Sequence, residues 1–231
     1  MNEELQSLIL YEDNHLLVFN KQAGQIVQGD KTGDEPLSEC LKRFIKERDN
    51  KPGNVFMGVP HRLDRPVSGV AIFAKTSKAL ERLNEMFRNN EIHKQYWAIV
   101  KKRPPADTDL LTHYLSRNEK MNKSFASLNP KPGAKEARLK YRLAMSAENY
   151  HLLEVQLFTG RHHQIRCQLA AIGCPVKGDL KYGAARSNPD GSISLHARFV
   201  TFIHPVKKEE LTIIAPVPAD PLWQYFEAGG K

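Results

Sequence analysis

ARLKYRLAMSAENYHLLEVQLFT, residues 137–159, holds two long apolar-rich runs separated only by Glu148-Asn149. Such a pair reads as an antiparallel β-hairpin. Working outward, HLLVFNK (15–21), GVAIFAK (69–75), KQYWAIVKK (94–102), SLHARFVTFI (194–203) and LTIIAP (211–216) read as further strands, and QIVQ (25–28) as a resumption of the first. Asp34 with Pro36 marks a helix start, followed by Leu37, Leu41, Phe44 and Ile45 at helical spacing, with Lys42, Lys46 and Arg48 on the wet face. Thr76 and Ser77 cap a second helix running to about Asn90. HHQIRCQLAAIG (162–173) reads as a third, entered through Thr159 or Gly160 and closed by Gly173. Residues 49–58 are loop, 112–136 an irregular basic excursion, and PLWQYF (221–226) a short tail. About eight strands against three or four helices predict an α+β chain with a largely antiparallel mixed sheet and flanking helices.

The 231 residues suggest one large domain or two small lobes. With 41% hydrophobic and 26% charged residues, wholesale disorder is excluded. A net charge of +8 fits a polyanionic partner, nucleic acid or a membrane surface. The acidic N-terminus is unlike a secretory signal, and no apolar run approaches the ~20 residues that span a bilayer. Cys40, Cys167 and Cys174 are odd in number and lack C-x-x-C spacing, which fits neither a disulfide framework nor a zinc ribbon. The chain reads as reduced, soluble and cytoplasmic.

Three segments carry chemistry. In HRLDRPVSG (61–69), Asp64 stands between Arg62 and Arg65, and positive neighbours favour an ionised carboxylate. Such a group suits a nucleophile or the stabilisation of developing positive charge at a sugar carbon. The same residues also suit a surface turn with exposed ion pairs of little energetic value. In TGRHHQIR (159–166), Arg161 and Arg166 flank a helix start that favours an anion; alternatively, their stems simply pack on the helix. His162 and His163 have no suitably spaced third ligand, so no metal is expected. In KQYWAIV, alternation puts Tyr96 and Trp97 on opposite faces, one of them core and the other free to face a cleft.

Together these segments resemble the RluA-type pseudouridine synthases, which isomerise uridine in RNA to its C5-linked glycoside. HRLDRPVSG resembles the stretch around that family's catalytic aspartate, NKQAG (20–24) its lysine-glycine motif, KQYWAIV its tyrosine motif and TGRHHQIRCQLA (159–170) its arginine motif. PVKGDLKYG (175–183) and LHARFVTFIHP (195–205) also fit, so the likeness runs from about residue 8 to residue 216. It departs from the family at Val67, usually Thr, and at His162, often Ser or Thr. With the match beginning at about residue 8, no S4-like domain is expected before it.

The resemblance implies a single catalytic domain over 1–231 with a central RNA-binding cleft, acting on a ribosomal or transfer RNA stem-loop as a monomer, without membrane or obligate protein partner. It implies Asp64 as the catalytic aspartate acting at the sugar, by addition to C1′ or removal of a C2′ proton. Arg161 would pair with Asp64, Tyr96 would stack on the flipped uracil, and Ile165 would pack on the ring's other side. Arg62 would fill the vacated stack; Lys21, Arg65, Arg166 and the lysines of 101–140 would contact phosphate. An isomerisation without redox change or group donor needs no cofactor. A base-excising glycosylase and a non-catalytic RNA-binding protein are the competing readings; binding alone requires none of Asp64, Tyr96 and Arg161.

Overall fold

The computed structural model describes residues 2–29 and 33–230. In chain order its elements are α1 (Asn2–Ser7), β1 (Ile9–Glu12), β2 (Leu16–Lys21), α2 (Leu37–Arg48), β3 (Ser68–Ala74), α3 (Ser77–Arg88), β4 (His93–Val100) and β5 (Thr108–Asn118). There follow β6 (Lys123–Ser127), β7 (Lys135–Ser146), β8 (His151–Leu157), α4 (Gln164–Ala171), β9 (Leu195–Ile203), β10 (Glu210–Ile214) and α5 (Pro221–Glu227). The class is α+β. The pairings β1–β2, β2–β3, β4–β8, β5–β6, β5–β7, β7–β8 and β9–β10 are all antiparallel. No helix among the described residues is long and apolar enough to cross a membrane.

The chain divides into two compact units, Met1–His93 with Ala197–Pro216, and Lys94–His196 with Val217–Lys231. In the first, the strand order is β1-β2-β3-β9, with β10 paired to β9. Leu16 and Val18 of β2, Val70 and Ile72 of β3, and Val200 and Phe202 of β9 share a core with Leu83 and Met86 of α3. The Thr76 hydroxyl caps α3 by accepting from the Ala79 amide at 3.1 Å. QIVQ is not a strand. Ile26 and Val27 are buried, and their carbonyls accept from the Leu37 and Ser38 amides that open α2. Pro36 offers α2 no side-chain cap, so these carbonyls take up amides that would otherwise be orphaned. Gly69 lies where β3 meets β9, at φ +110°, and a Cβ there would collide with the Ala197 main chain.

In the second unit the order is β4-β8-β7-β5-β6, with β6 at the end. The hairpin expected over 137–159 is β7–β8, opened by a register shift between Leu143 and Met145. The irregular excursion expected over 112–136 is instead largely β-structure, with β5 pairing both β6 and β7. Its alternation was masked because the inward positions of β5 are Leu111, His113 and Leu115, the middle one polar, while Leu110 and Phe125 point outward. The Gln168 amide of α4 makes the inward histidine tolerable, lying 3.0 Å from His113 Nδ1 and donating to the Leu111 and Ala137 carbonyls. The PLWQYF tail is the helix α5. Asp220 accepts from the Leu222 and Trp223 amides, and Trp223 and Phe226 pack on Ile99 and Leu152.

Candidate active site

Asp64 lies on a turn of the first unit, closed by the Val67 amide donating to the Asp64 carbonyl at 3.0 Å and anchored on either side by buried Leu63 and Val67. The end of β2 holds this turn in place. Lys21 is wholly buried, and its ammonium donates to the carbonyls of Gln22 (3.0 Å), Arg65 (3.1 Å) and Val67 (2.5 Å). The Gly24 amide donates to the same Arg65 carbonyl at 2.8 Å. His61 Nε2 accepts from the Ile72 amide at 2.9 Å, which ties the segment to β3 and leaves the ring proton on Nδ1. Arg62 is exposed, and the half-buried Arg65 pairs with Asp34.

The phosphate contact expected of Lys21 is therefore corrected: with no exposure, its side chain braces the aspartate turn. Burial lowers the Lys21 pKa to about 7, with the Asp64 charge opposing the shift and Arg65 adding to it. Above the ordinary lysine value both the folded and the unfolded chain carry this amine neutral. Between there and about pH 7 only the unfolded chain binds the proton, so this group makes stability rise with pH over that window and leaves it flat below. The urea midpoint of the wild type, relative to Lys21→Met, should accordingly grow between about pH 7 and 10. Parallel pH curves for the two proteins would refute this account of Lys21.

Tyr96, on β4 of the second unit, is 6% exposed and sits opposite Val155. Trp97 points the other way, packing partly buried among Ile99, Leu152, Trp223 and Phe226. The arginine segment runs between β8 and α4. Thr159 and Gly160 do not cap α4; the cap residue is His163, in a left-handed conformation at φ 52° and without a side-chain bond to the helix amides. Thr159 is drawn instead to β7, its Oγ1 accepting from the Arg138 amide and donating to Gln164 Oε1 at 2.7 Å. Gln164 Oε1 also accepts from the Arg161 amide, and its Nε2 donates to the Arg138 carbonyl. Arg161 is exposed, its Nε donating to the Glu136 carbonyl at 3.0 Å.

Ile165 and Arg166 are both buried. Arg166 grips Asp179 with two bonds, Nε to Oδ2 at 2.7 Å and Nη2 to Oδ1 at 3.0 Å, and its guanidinium lies 5.1 Å from the Tyr182 ring. The expected phosphate contact is corrected here too, because this arginine is committed to an internal carboxylate. The rings of His162 and His163 stack at 3.8 Å. His162 Nδ1 meets Ser124 Oγ at 2.9 Å, its Nε2 meets Asn122 Oδ1 at 3.1 Å, and His163 Nδ1 meets the Tyr182 hydroxyl at 3.0 Å. Sequence reasoning gave no role to Asp179, Tyr182 or Ser124, although PVKGDLKYG, which contains the first two, was singled out.

A profile for RNA pseudouridylate synthases matches residues 15–171. An RNA pseudouridine synthase of Synechocystis is 34% identical over 215 residues, covering 91% of this chain and 65% of that protein. The ribosomal large subunit pseudouridine synthase C of Vibrio cholerae is 32% identical over 222 residues, 94% of this chain and 67% of its own length. The D enzyme of Xylella fastidiosa is 34% identical over 229 residues, 92% and 66% respectively. The chain thus spans about two thirds of the length of these curated relatives. Among solved structures, human RNA pseudouridylate synthase domain containing 4 has a TM-score of 0.80 at 23% identity, over 97% of this chain and 94% of that one. The human domain containing 1 protein has a TM-score of 0.70 at 22% identity, over 93% and 85%.

Proposed function

Because the chain belongs to the RNA pseudouridylate synthase family, we propose that it isomerises specific uridines of ribosomal or transfer RNA to pseudouridine. In the reaction the N1–C1′ bond breaks and a C5–C1′ bond forms; C5 loses a proton and N1 gains one. Asp64 acts at the sugar carbon, where positive charge develops as the glycosidic bond breaks. Arg161 pairs with that carboxylate and aims it. Tyr96 and Ile165 take the two faces of the flipped uracil, Arg62 occupies the space the base has left, and Arg65 contacts the RNA. The chain does so as a monomeric catalytic domain in the cytoplasm.

The observation that carries the reading is the bracing of the Asp64 turn by the buried Lys21, whose ammonium holds the Arg65 and Val67 carbonyls. Catalysis needs a carboxylate fixed before the substrate arrives, and a fixed loop lowers the cost of reaching the reactive geometry. The test is to incubate purified protein with unmodified ribosomal and transfer RNA and map pseudouridine by carbodiimide adducts. New pseudouridine at discrete positions, unchanged RNA mass and no free uracil are expected. Release of free uracil would establish the glycosylase reading instead, and an unaltered RNA would leave a binding protein.

A further inference from the structure

The resemblance implies phosphate contact for the lysines of 101–140 in general; the far end of the β5–β6 hairpin is where several of them meet an arginine and exposed apolar surface. Arg117, Lys120, Lys123 and Lys181 gather there. Arg103, Arg138 and Arg142 of the same unit each hold a carboxylate. Among the described residues, none of the four has a carboxylate partner. Met121, Phe125 and Leu180 stand at 55%, 44% and 59% exposure, three of the eight large apolar side chains most open to water among the described residues. The Lys123 ammonium lies 5.6 Å from the Phe125 ring centroid and 5.2 Å from that of Tyr182. This interleaving of bare cations with an exposed aromatic matches proteins that hold single-stranded nucleic acid, where phosphates meet the cations and bases stack on the ring.

The arm is also built to be rigid. The His162 ring spans its turn, bonded to Ser124 on one side and Asn122 on the other. The Ser124 hydroxyl donates to the His162 carbonyl at 2.8 Å, and the Ser124 amide donates to the Tyr182 hydroxyl at 2.8 Å. From the other side the Lys181 ammonium donates to the carbonyls of Met121 (3.3 Å) and Asn122 (3.1 Å). A surface held in this way pays little ordering entropy when it binds.

We propose that the end of the β5–β6 hairpin is an RNA-gripping arm that binds an unpaired stretch of substrate other than the target nucleotide, phosphates on Arg117, Lys120 and Lys123 and a base on Phe125. The proposal rests on the RNA reading above and adds to it a second contact surface. An anionic membrane is the rival occupant. It is disfavoured because the apolar side chains here are scattered on a short hairpin, where surface binding to lipid calls for one continuous apolar face.

The experiment compares the wild type with a triple variant, Arg117→Gln, Lys120→Gln and Lys123→Gln, in binding to an RNA stem-loop with unpaired flanks over a range of salt. Three lost contacts to a single strand should lower the slope of log K against log salt by about 2. Phe125→Ala should weaken binding at least about 5-fold with the slope unchanged, the signature of a lost stacking contact. A charge-matched control in the first unit, with Lys42, Lys46 and Lys51 changed to Gln, should keep both the wild-type slope and the wild-type affinity. An unchanged slope in the triple variant, an equal fall in the control, or wild-type affinity for phosphatidylserine vesicles that the triple variant loses would each overturn the arm. A wild type that binds flanked RNA through these residues but makes no pseudouridine would uphold the arm and defeat the isomerase reading.

Discussion

Asp64→Ala should abolish pseudouridine formation, with a loss of about 10⁴-fold or more in single-turnover rate, while RNA affinity stays within a few-fold of wild type. The size of the effect follows from the proposed role, a negative charge at the sugar carbon, which an alanine cannot supply. The insensitivity of binding follows from its sign, because a negative group repels phosphate and its removal cannot weaken that contact. The variant should also fold. The turn is closed by the main-chain bond from Val67 to Asp64 and braced by Lys21 through main-chain carbonyls, none of which uses the Asp64 side chain. Asp64→Asn, which keeps the shape and removes the charge, should be equally inactive. Pseudouridine above a trace with purified Asp64→Ala would sink the assignment.

Arg166→Met should cost about 3–5 kcal/mol of stability, because it strands the Asp179 carboxylate, 1% exposed, without its cation. Arg166→Met combined with Asp179→Leu should recover much of that loss, since removing both charges spares the fold an unpaired one. Urea unfolding of the two singles and the double closes the cycle. The salt slope of RNA binding by folded Arg166→Met should match the wild type. A normal urea midpoint with a reduced salt slope would restore the phosphate role expected from the sequence.

Lys21 and Arg166 show where sequence reading stops. A basic residue inside a motif that resembles an RNA-modifying family reads as a phosphate contact, because Lys and Arg are rarely fully buried without partners. Their partners come from distant parts of the chain: Lys21 meets the carbonyls of residues 65 and 67, and Arg166 meets Asp179. Strands were legible where apolar residues ran together, as in HLLVFNK and GVAIFAK, because β2 and β3 are buried throughout. β5 and β6 were not, since a buried histidine and two outward apolar residues scramble the period. The α5 start was missed although its signal was present, Asp220 followed by Pro221 at the first helical position. The start of α4 was misplaced because a left-handed histidine, not a hydroxyl or glycine, precedes it.

The terminal position of β6 has a consequence of another kind. A strand at the end of a sheet leaves one row of amides and carbonyls open, and such a row can recruit a strand from another chain. On this molecule part of that row is already taken, the Ser124 amide by the Tyr182 hydroxyl and the Ser124 carbonyl by the Cys167 thiol, and a second copy approaching edge to edge also meets the ammonium groups of Lys120 and Lys123. The arm's cations thus double as gatekeepers of colloidal behaviour, repelling self-association whenever no polyanion covers them.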